Sequence, residues 1–224
     1  MKLSHLWKGV INMEENAGII VDKINKSFGK EHVLKNVSLS IPPGTIYGVV
    51  GNNGSGKTVL MKCICGFMKC DSGKVIVDGK IVGREVDFPD RLGVIIETPG
   101  FISGLSGYKN LKILSSLKGR IGKSEIRDTM RRVGLNPDMK KPVAKYSLGM
   151  RQRLGIAQAI MENPTVLVLD EPFNGLDKYG VKEIRALLKE LSDDGKAILL
   201  ASHNAQDIEE LCDHVLDLMQ EGVR

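Results

Sequence analysis

Eight residues, Gly51-Asn52-Asn53-Gly54-Ser55-Gly56-Lys57-Thr58, come directly after the apolar run Thr45–Val50 and directly before a helical pattern. That order of strand, glycine-rich turn and helix is the setting in which a chain binds polyphosphate. Glycines at 51, 54 and 56 free the backbone to turn its N–H groups inward, and the helix beginning at Lys57 adds its positive end. Lys57 has the charge and reach to bridge β and γ phosphates, and the Thr58 hydroxyl is an oxygen ligand suited to Mg2+. Alone the motif says only nucleotide phosphate, a description that kinases and GTPases share.

A second acidic site narrows the chemistry. The run Thr165–Pro172, TVLVLDEP, ends an apolar strand in two adjacent carboxylates. Side chains alternate faces along a strand, so Asp170 and Glu171 point differently. Asp170 suits Mg2+ coordination through water, and Glu171 is placed to polarise a water that attacks a γ phosphate. For an isolated Asp-Glu pair the bland reading is two solvated loop acids, which fits poorly between aliphatic residues and a proline. A further carboxylate, Glu97, stands at the mouth of another apolar run, GVIIETPGF, residues 93–101. In YSLGMRQRLGIAQAI, residues 146–160, Ser147 is an N-cap candidate whose helix opens an anion site, and Gly149 permits close backbone approach. Read by itself, that stretch is also an ordinary capped helix.

These groups need a frame. Strand patterns fall near 18–24, 45–50, 74–77, 92–96, 165–169, 197–201 and 214–218, and helical periodicity in 57–65, 106–117, 123–133, 148–161, 178–192 and 204–212. Alternating short apolar runs and helices predict an α/β protein with a largely parallel sheet. The stretch from about 98 to 161 carries helices without an intervening strand and reads as an inserted helical lobe. With 224 residues and 42% hydrophobic content, the chain can bury a sizeable core. No run approaches the roughly 20 apolar residues of a membrane span, and no secretory signal is evident, so a cytosolic location is expected. The four cysteines, Cys63, Cys65, Cys70 and Cys212, lack metal or disulfide spacing and read as core thiols on a helix. A net charge of +5 decides nothing about partners. Residues 1–16 form a separate tail, a frayed end or an interfacial anchor built on Leu3, Leu6, Trp7, Val10 and Ile11, and Met13 is an alternative start.

The P-loop, YSLGM followed by RQR, LVLDEP, NGLD at 174–177 and SH at 202–203 occur together in one order and spacing. In this the chain resembles the ATP-binding cassette (ABC) ATPases over residues from about 18 to 222. The resemblance implies a P-loop NTPase core of the RecA-like kind with a small antiparallel β subdomain and an inserted α-helical subdomain, residues 17–224 forming one nucleotide-binding domain. It implies ATP and Mg2+ as ligands, ATP being held by Phe28 stacking on adenine and by Gly51, Asn52, Asn53, Gly54, Ser55, Gly56, Lys57, Thr58 and Val59. Glu171, His203 and Lys57 take the catalytic places, and Thr58, Asp170 and Glu97 the metal places. The signature segment Ser147, Leu148, Gly149, Met150 would cap the nucleotide of a second subunit, with Asp177 in the loop that crosses the dimer seam. For Phe28, packing is as good a reading from the residues alone.

Departures from the family pattern stand out in three places: the signature segment, the phosphate turn and Glu97. Leu148 replaces a glycine, Met150 a common glutamine, and Val59 a hydroxyl side chain. Glu97 replaces the glutamine of a loop that couples the ATP site to the membrane partner. A glutamate keeps the acceptor, loses the N–H2 donor and adds a charge. Two like charges about 4 Å apart repel by roughly 4 kcal/mol at an effective dielectric of about 20, so Glu97 beside a triphosphate depends on the metal for its place. The alternative is a solvated loop acid.

Glu97 and SLGMRQRLGIA are similar to the cassettes of lantibiotic-immunity and bacitracin-resistance exporters. That similarity implies a homodimer or heterodimer of ATPase subunits at the cytoplasmic face of the membrane, bound to transmembrane permease subunits, with no nucleic acid expected. Two other readings stay open: a soluble ABC ATPase acting on ribosomes or DNA, and an ATP-binding regulator without turnover. The chain shows no second cassette and no coiled-coil insertion to favour the first, and Glu171 and His203 speak against the second.

Overall fold

A computed structural model describes residues 18–97 and 100–218. The tail, its apolar face and Met13 lie outside the described residues, as does the C-terminal end. Nine strands and six helices are present among the described residues: β1 (Ile19–Phe28), β2 (Glu31–Ile41), β3 (Ile46–Val50), α1 (Lys57–Ile64), β4 (Ser72–Val77), β5 (Lys80–Ile81), β6 (Leu92–Ile95), α2 (Gly107–Lys118), α3 (Lys123–Arg132), α4 (Leu148–Ile160), β7 (Val166–Asp170), α5 (Lys178–Asp193), β8 (Ala197–Ala201), α6 (Ala205–Leu211) and β9 (His214–Asp217).

The strands form two sheets. One is parallel, in the order β6-β7-β8-β3-β9; the other is antiparallel, in the order β2-β1-β4-β5. Continuous apolar runs are what a parallel strand needs when both of its faces are covered. Val166 and Val168 of β7 and Leu199 of β8 pack with α1 and the antiparallel sheet, while Leu167, Leu169, Ile198 and Leu200 pack against α4 and α5 on the other face. Helix α1, which carries Leu60, Met61 and Ile64 fully buried, is thereby clamped between the two sheets.

Strand β2 departs from the sequence expectation, which places no strand over residues 31–41. Its buried residues are Leu34, Val37, Leu39 and Ile41, a spacing of three and then two. Asn36 at φ 53° and a shift of pairing between Ile24↔Val37 and Lys26↔Leu34 mark a bulge, which breaks the alternation that announces a strand. Strand β1 likewise runs on to Phe28. The cysteines also depart from expectation: Cys63 is in α1 and Cys65 just past its end, but Cys70 precedes β4 and Cys212 follows α6.

Between β6 and β7 lie α2, α3, a single 3-10 turn (Val143–Lys145) and α4. Two sets of close contacts position these helices, one against the parallel sheet and one against the chain leading into α2. A Cβ on Gly93 of β6 would lie 2.1 Å from the Ala159 carbonyl oxygen, so strand and helix α4 meet backbone to backbone. The buried Asn110 of α2 accepts from the Ile102 N–H at 2.8 Å and donates to the Ile102 and Ser106 carbonyls, each at 3.1 Å, which fixes residues 102–106 ahead of the helix.

The turn leading into β4 is tied to β1 through Asp71, which accepts from Lys26 Nζ at 2.9 Å and from the Ser27 N–H at 2.6 Å. The Lys26 bond first, and the backbone bond next, hold the Asp71 carboxyl below its ordinary 3.8. A carboxylate with a depressed folded pKa lends stability that is complete above the unfolded value and lost as pH falls through the folded one. The wild type therefore exceeds Asp71→Asn in urea midpoint at pH 7, and the difference shrinks below pH 3.8; a difference that does not change between pH 7 and pH 3 would contradict this assignment.

Candidate functional site

The phosphate-binding turn leaves β3 at Val50 and enters α1 at Lys57. Gly51 sits at φ 151° with Ser55 Oγ only 2.4 Å from where a Cβ would stand, and Gly56 caps α1 in the left-handed region at φ 98°. Side chains at either position would open the turn. Lys57 folds back over it, donating to the Gly51 carbonyl at 2.6 Å and the Asn52 carbonyl at 3.0 Å. Ser55 Oγ is buried and has no hydrogen-bond partner, an orphan polar atom inside a loop of donors. Val59 faces the apolar cluster beneath α1, so this position packs.

Two elements that are remote in sequence close on this turn. The Thr58 hydroxyl donates to Asp170 Oδ2 at 2.9 Å, joining α1 to the end of β7. One residue on, Glu171 has left the strand at φ 50°, a strained backbone for a glutamate, and its N–H donates to Ala201 O of β8 at 2.9 Å. Its Oε2 lies 2.8 Å from His203 Nδ1. Burial, followed in order by the opposing pull of His203, sets the acidity of Glu171, and with Asp170 adding repulsion its pKa stands above the ordinary 4.5. A carboxyl shifted toward neutrality is a better proton acceptor for water.

Behind His203 lies a buried brace. Ser202 Oγ donates to Asp207 Oδ2 at 2.8 Å and accepts from the Asn204 N–H at 3.1 Å. Asp207, 2% exposed, is paired in turn with the guanidinium of Arg185 on α5, which also engages Glu210.

The signature segment lies across the same opening. Ser147 caps α4 by accepting from the Met150 N–H at 3.2 Å. Leu148 is 58% exposed and covers Gly175; a Cβ on Gly149 would stand 2.7 Å from the Gly175 carbonyl oxygen. Asp177, which the sequence reading placed at a dimer seam, caps α5 here by accepting from the Gly180 N–H at 2.7 Å. Glu97 lies at φ 61° with Oε1 2.6 Å from Lys62 Nζ of α1.

A cleft of about 860 Å3 gathers most of these groups: Asn53, Gly54, Gly56, Lys57, Thr58 and Val59 on one wall, Asp170 and Glu171 at its floor, with Glu97 and Leu148 at its edges. Phe28 is not among its lining residues. It ends β1, 48% exposed, with Lys26 Nζ 5.6 Å above its ring. The cleft is also lined by Val33, Arg151, Gln152 and Asn174, which the sequence reading did not assign. Gln152 donates to the Glu171 carbonyl at 3.2 Å. A helical wheel from Leu148 would have found it, because positions i+3 and i+4 share a face.

The donor set suits Mg2+. Oxygen ligands from a hydroxyl and a carboxylate, 2.9 Å apart beside a polyphosphate cradle, are what a small hard cation shared with phosphate oxygens requires.

Residues 34–174 match the family model described as ABC transporter. The chain belongs to the ABC transporter family. It is 42% identical over 206 residues to the bacitracin transport ATP-binding protein BcrA of Enterococcus faecalis, covering 91% of this chain and 67% of that protein. It is 38% identical to the lantibiotic transport ATP-binding protein SrtF of Streptococcus pyogenes, covering 87% of this chain and 84% of that one. Among solved structures it is similar to cbiO1 from Clostridium perfringens, part of the ABC transporter complex cbiONQ, with a TM-score of 0.78 and 27% identity over 91% of this chain and 85% of that chain. The chain spans about two thirds of the length of its bacitracin-transport relatives. Within the family it is an ATPase subunit that powers a separate membrane subunit; no helix among the described residues is long and apolar enough to cross a membrane itself.

The buried brace yields a test. Replacing Asp207 with alanine removes the buried acceptor of the Ser202 hydroxyl and leaves Arg185 with the more exposed Glu210 alone, which costs about 1–3 kcal/mol. Urea unfolding of Asp207→Ala should show that loss, and a change below about 1 kcal/mol would mean the pair is a solvated contact.

Proposed function

We propose that this subunit binds and hydrolyses ATP to drive the export of a peptide antibiotic or a similar amphiphile through transmembrane permease subunits. The observation that carries the ATP chemistry is the pairing of Glu171 with His203 at 2.8 Å, beside the phosphate turn and one residue from Asp170. Gly51, Asn52, Asn53, Gly54, Ser55 and Gly56 turn N–H groups to the triphosphate; Lys57 exchanges its two carbonyl partners for β and γ oxygens. Thr58 and Asp170 hold the metal site, and Mg2+ there supplies charge neutralisation of the phosphates. Glu171 takes the proton of the attacking water, and His203 orients that carboxylate and reads the γ phosphate. Phe28 stacks on the adenine from outside the cleft, with Val59 packing beneath the turn.

Ser147, Leu148, Gly149 and Met150 act on the nucleotide of a second subunit, homodimeric or heterodimeric, and the 860 Å3 opening between phosphate turn and signature helix is closed by that partner. An exposed Leu148 beside Gly175 supports a seam at this edge. Asp177 then has two roles, cap of α5 and member of the seam. The resulting complex sits peripherally at the cytoplasmic face of the membrane. The peptide-antibiotic cargo rests on the bacitracin and lantibiotic relatives.

Glu97 is the coupling carboxylate of this reading. In the structure Lys62 neutralises it; at the metal it would trade that ammonium for a cation bound beside Asp170. Its contribution is therefore Mg2+-dependent. Phosphate release in the presence of Mg2+ and light scattering with saturating ATP together test the proposal. Glu171→Gln should lose at least about 100-fold in turnover yet retain ATP and associate as a dimer with its permease; full turnover, or a protomer that stays single, would overturn the mechanism. In the same assay Glu97→Ala should need more Mg2+ for half-maximal turnover, and an unchanged requirement would make Glu97 a solvated acid.

A further inference from the structure

The His203 side chain is 71% exposed, on the short link of residues 202–204 between the buried strand β8 and helix α6. A ring so placed is not held by packing, so its 2.8 Å approach to Glu171 depends on how the link itself is fixed. The fixing comes from the far side of the link. Ser202 Oγ accepts from the Asn204 N–H at 3.1 Å, bridging the backbone across His203, and donates to Asp207 Oδ2 at 2.8 Å. Asp207 accepts at its other oxygen from Arg185 Nε at 3.1 Å, and Glu210 takes a further nitrogen of the same guanidinium. Ser202 and Asp207 are both buried. In a buried network whose members are bonded to one another, a displacement strips a polar atom of its partner where water cannot replace it, so the arrangement is rigid.

Arg185 also reaches the acid's side of the pair. Its guanidinium carbon lies 6.0 Å from the centre of the buried Phe173 ring, two residues past Glu171. The Glu171 N–H is bound at 2.9 Å to the carbonyl of Ala201, the residue before Ser202. One guanidinium and one strand end therefore set both backbones that bring carboxylate and imidazole together. Stability alone does not call for such a network, because well-packed apolar residues of similar volume often join two helices equally well.

We propose that Ser202, Asp207 and Arg185 are positioning residues for cleavage of the γ phosphate, holding the link 202–204 so that the His203 ring stays against Glu171. The inference rests on the ATPase reading given above. None of the three is among the residues that line the phosphate cleft. They act through His203, so their loss slows turnover and leaves ATP binding as it was.

Ser202→Ala and Asp207→Asn each remove one member of the network with little change of volume. Each is assayed in the complex with its permease, beside the wild type, His203→Ala and the two double variants that include His203→Ala. Each single variant should lower kcat by at least about tenfold, with the KM for ATP in the presence of Mg2+ changed by less than about twofold. In the His203→Ala background the same substitutions should cost less than about twofold more, because the ring they position is gone. A network that only stabilises the fold gives the opposite pattern, its cost multiplying with that of His203→Ala. A second readout uses the protein without nucleotide: the imidazole NMR signals of His203, assigned by their absence in His203→Ala, should move toward those of free imidazole in both single variants. Unchanged kcat, a multiplicative cycle or unmoved His203 signals in either folded variant would overturn the inference. A wild type without turnover, or His203→Ala with full turnover, would take down the ATPase reading and this inference with it, and those control arms tell that failure apart from failure of the positioning network alone.

Discussion

A turn whose own backbone bonding is little more than the Ser55 N–H to the Asn52 carbonyl at 3.1 Å must be held from outside, and this constraint organises the structure. The turn between β3 and α1 can exist only if both ends are held, because its own hydrogen bonds do not define it. The parallel sheet fixes one end through β8 and β9, and two packed sheets fix the other by burying Leu60, Met61 and Ile64 of α1 completely. Lys57 lying on two carbonyls of the same turn is the cation's share of that arrangement. A polyphosphate offers the missing acceptors, which is why a fold of ordinary apolar layers ends in a site with so narrow a chemical preference.

The carboxylates follow from the same geometry. Asp170 and Glu171 leave β7 on different headings, so one meets Thr58 and the other meets His203. Their separation of duties needs no special folding device beyond a strand that ends there and one left-handed residue. Glu97 is the third left-handed or terminal acid at the cleft, and its ion pair with Lys62 supplies a partner for its charge. In the mechanism we propose, that lysine is exchanged for a metal-centred partner, a change that a glutamine at this place could not make in the same way, since it carries no charge.

What was legible in the sequence was whatever depends on near neighbours. The phosphate turn, the paired acids after an apolar run and the helix caps are local patterns, and the strands of the parallel sheet announce themselves because both faces are buried. Strand β2 was missed since a bulge at Asn36 interrupts its alternation. Contacts made by folding were equally hidden. Lys62 and Glu97 are 35 residues apart, Arg185 and Asp207 are 22 apart, and Gln152 reaches a carbonyl 19 residues on. Asp177 was legible as a motif member but not as the cap of α5, although an aspartate before a helix carries that signal.

The central claim is that the turn 51–58 with its lysine is an acceptor-seeking cradle for the ATP phosphates. Calorimetric titration of ATP with Mg2+ into the wild type and Lys57→Ala addresses it most directly. Loss of charge-assisted bonds to phosphate should weaken binding by at least about tenfold, with the variant's fold unchanged by circular dichroism. Equal affinity in the two proteins would contradict the account.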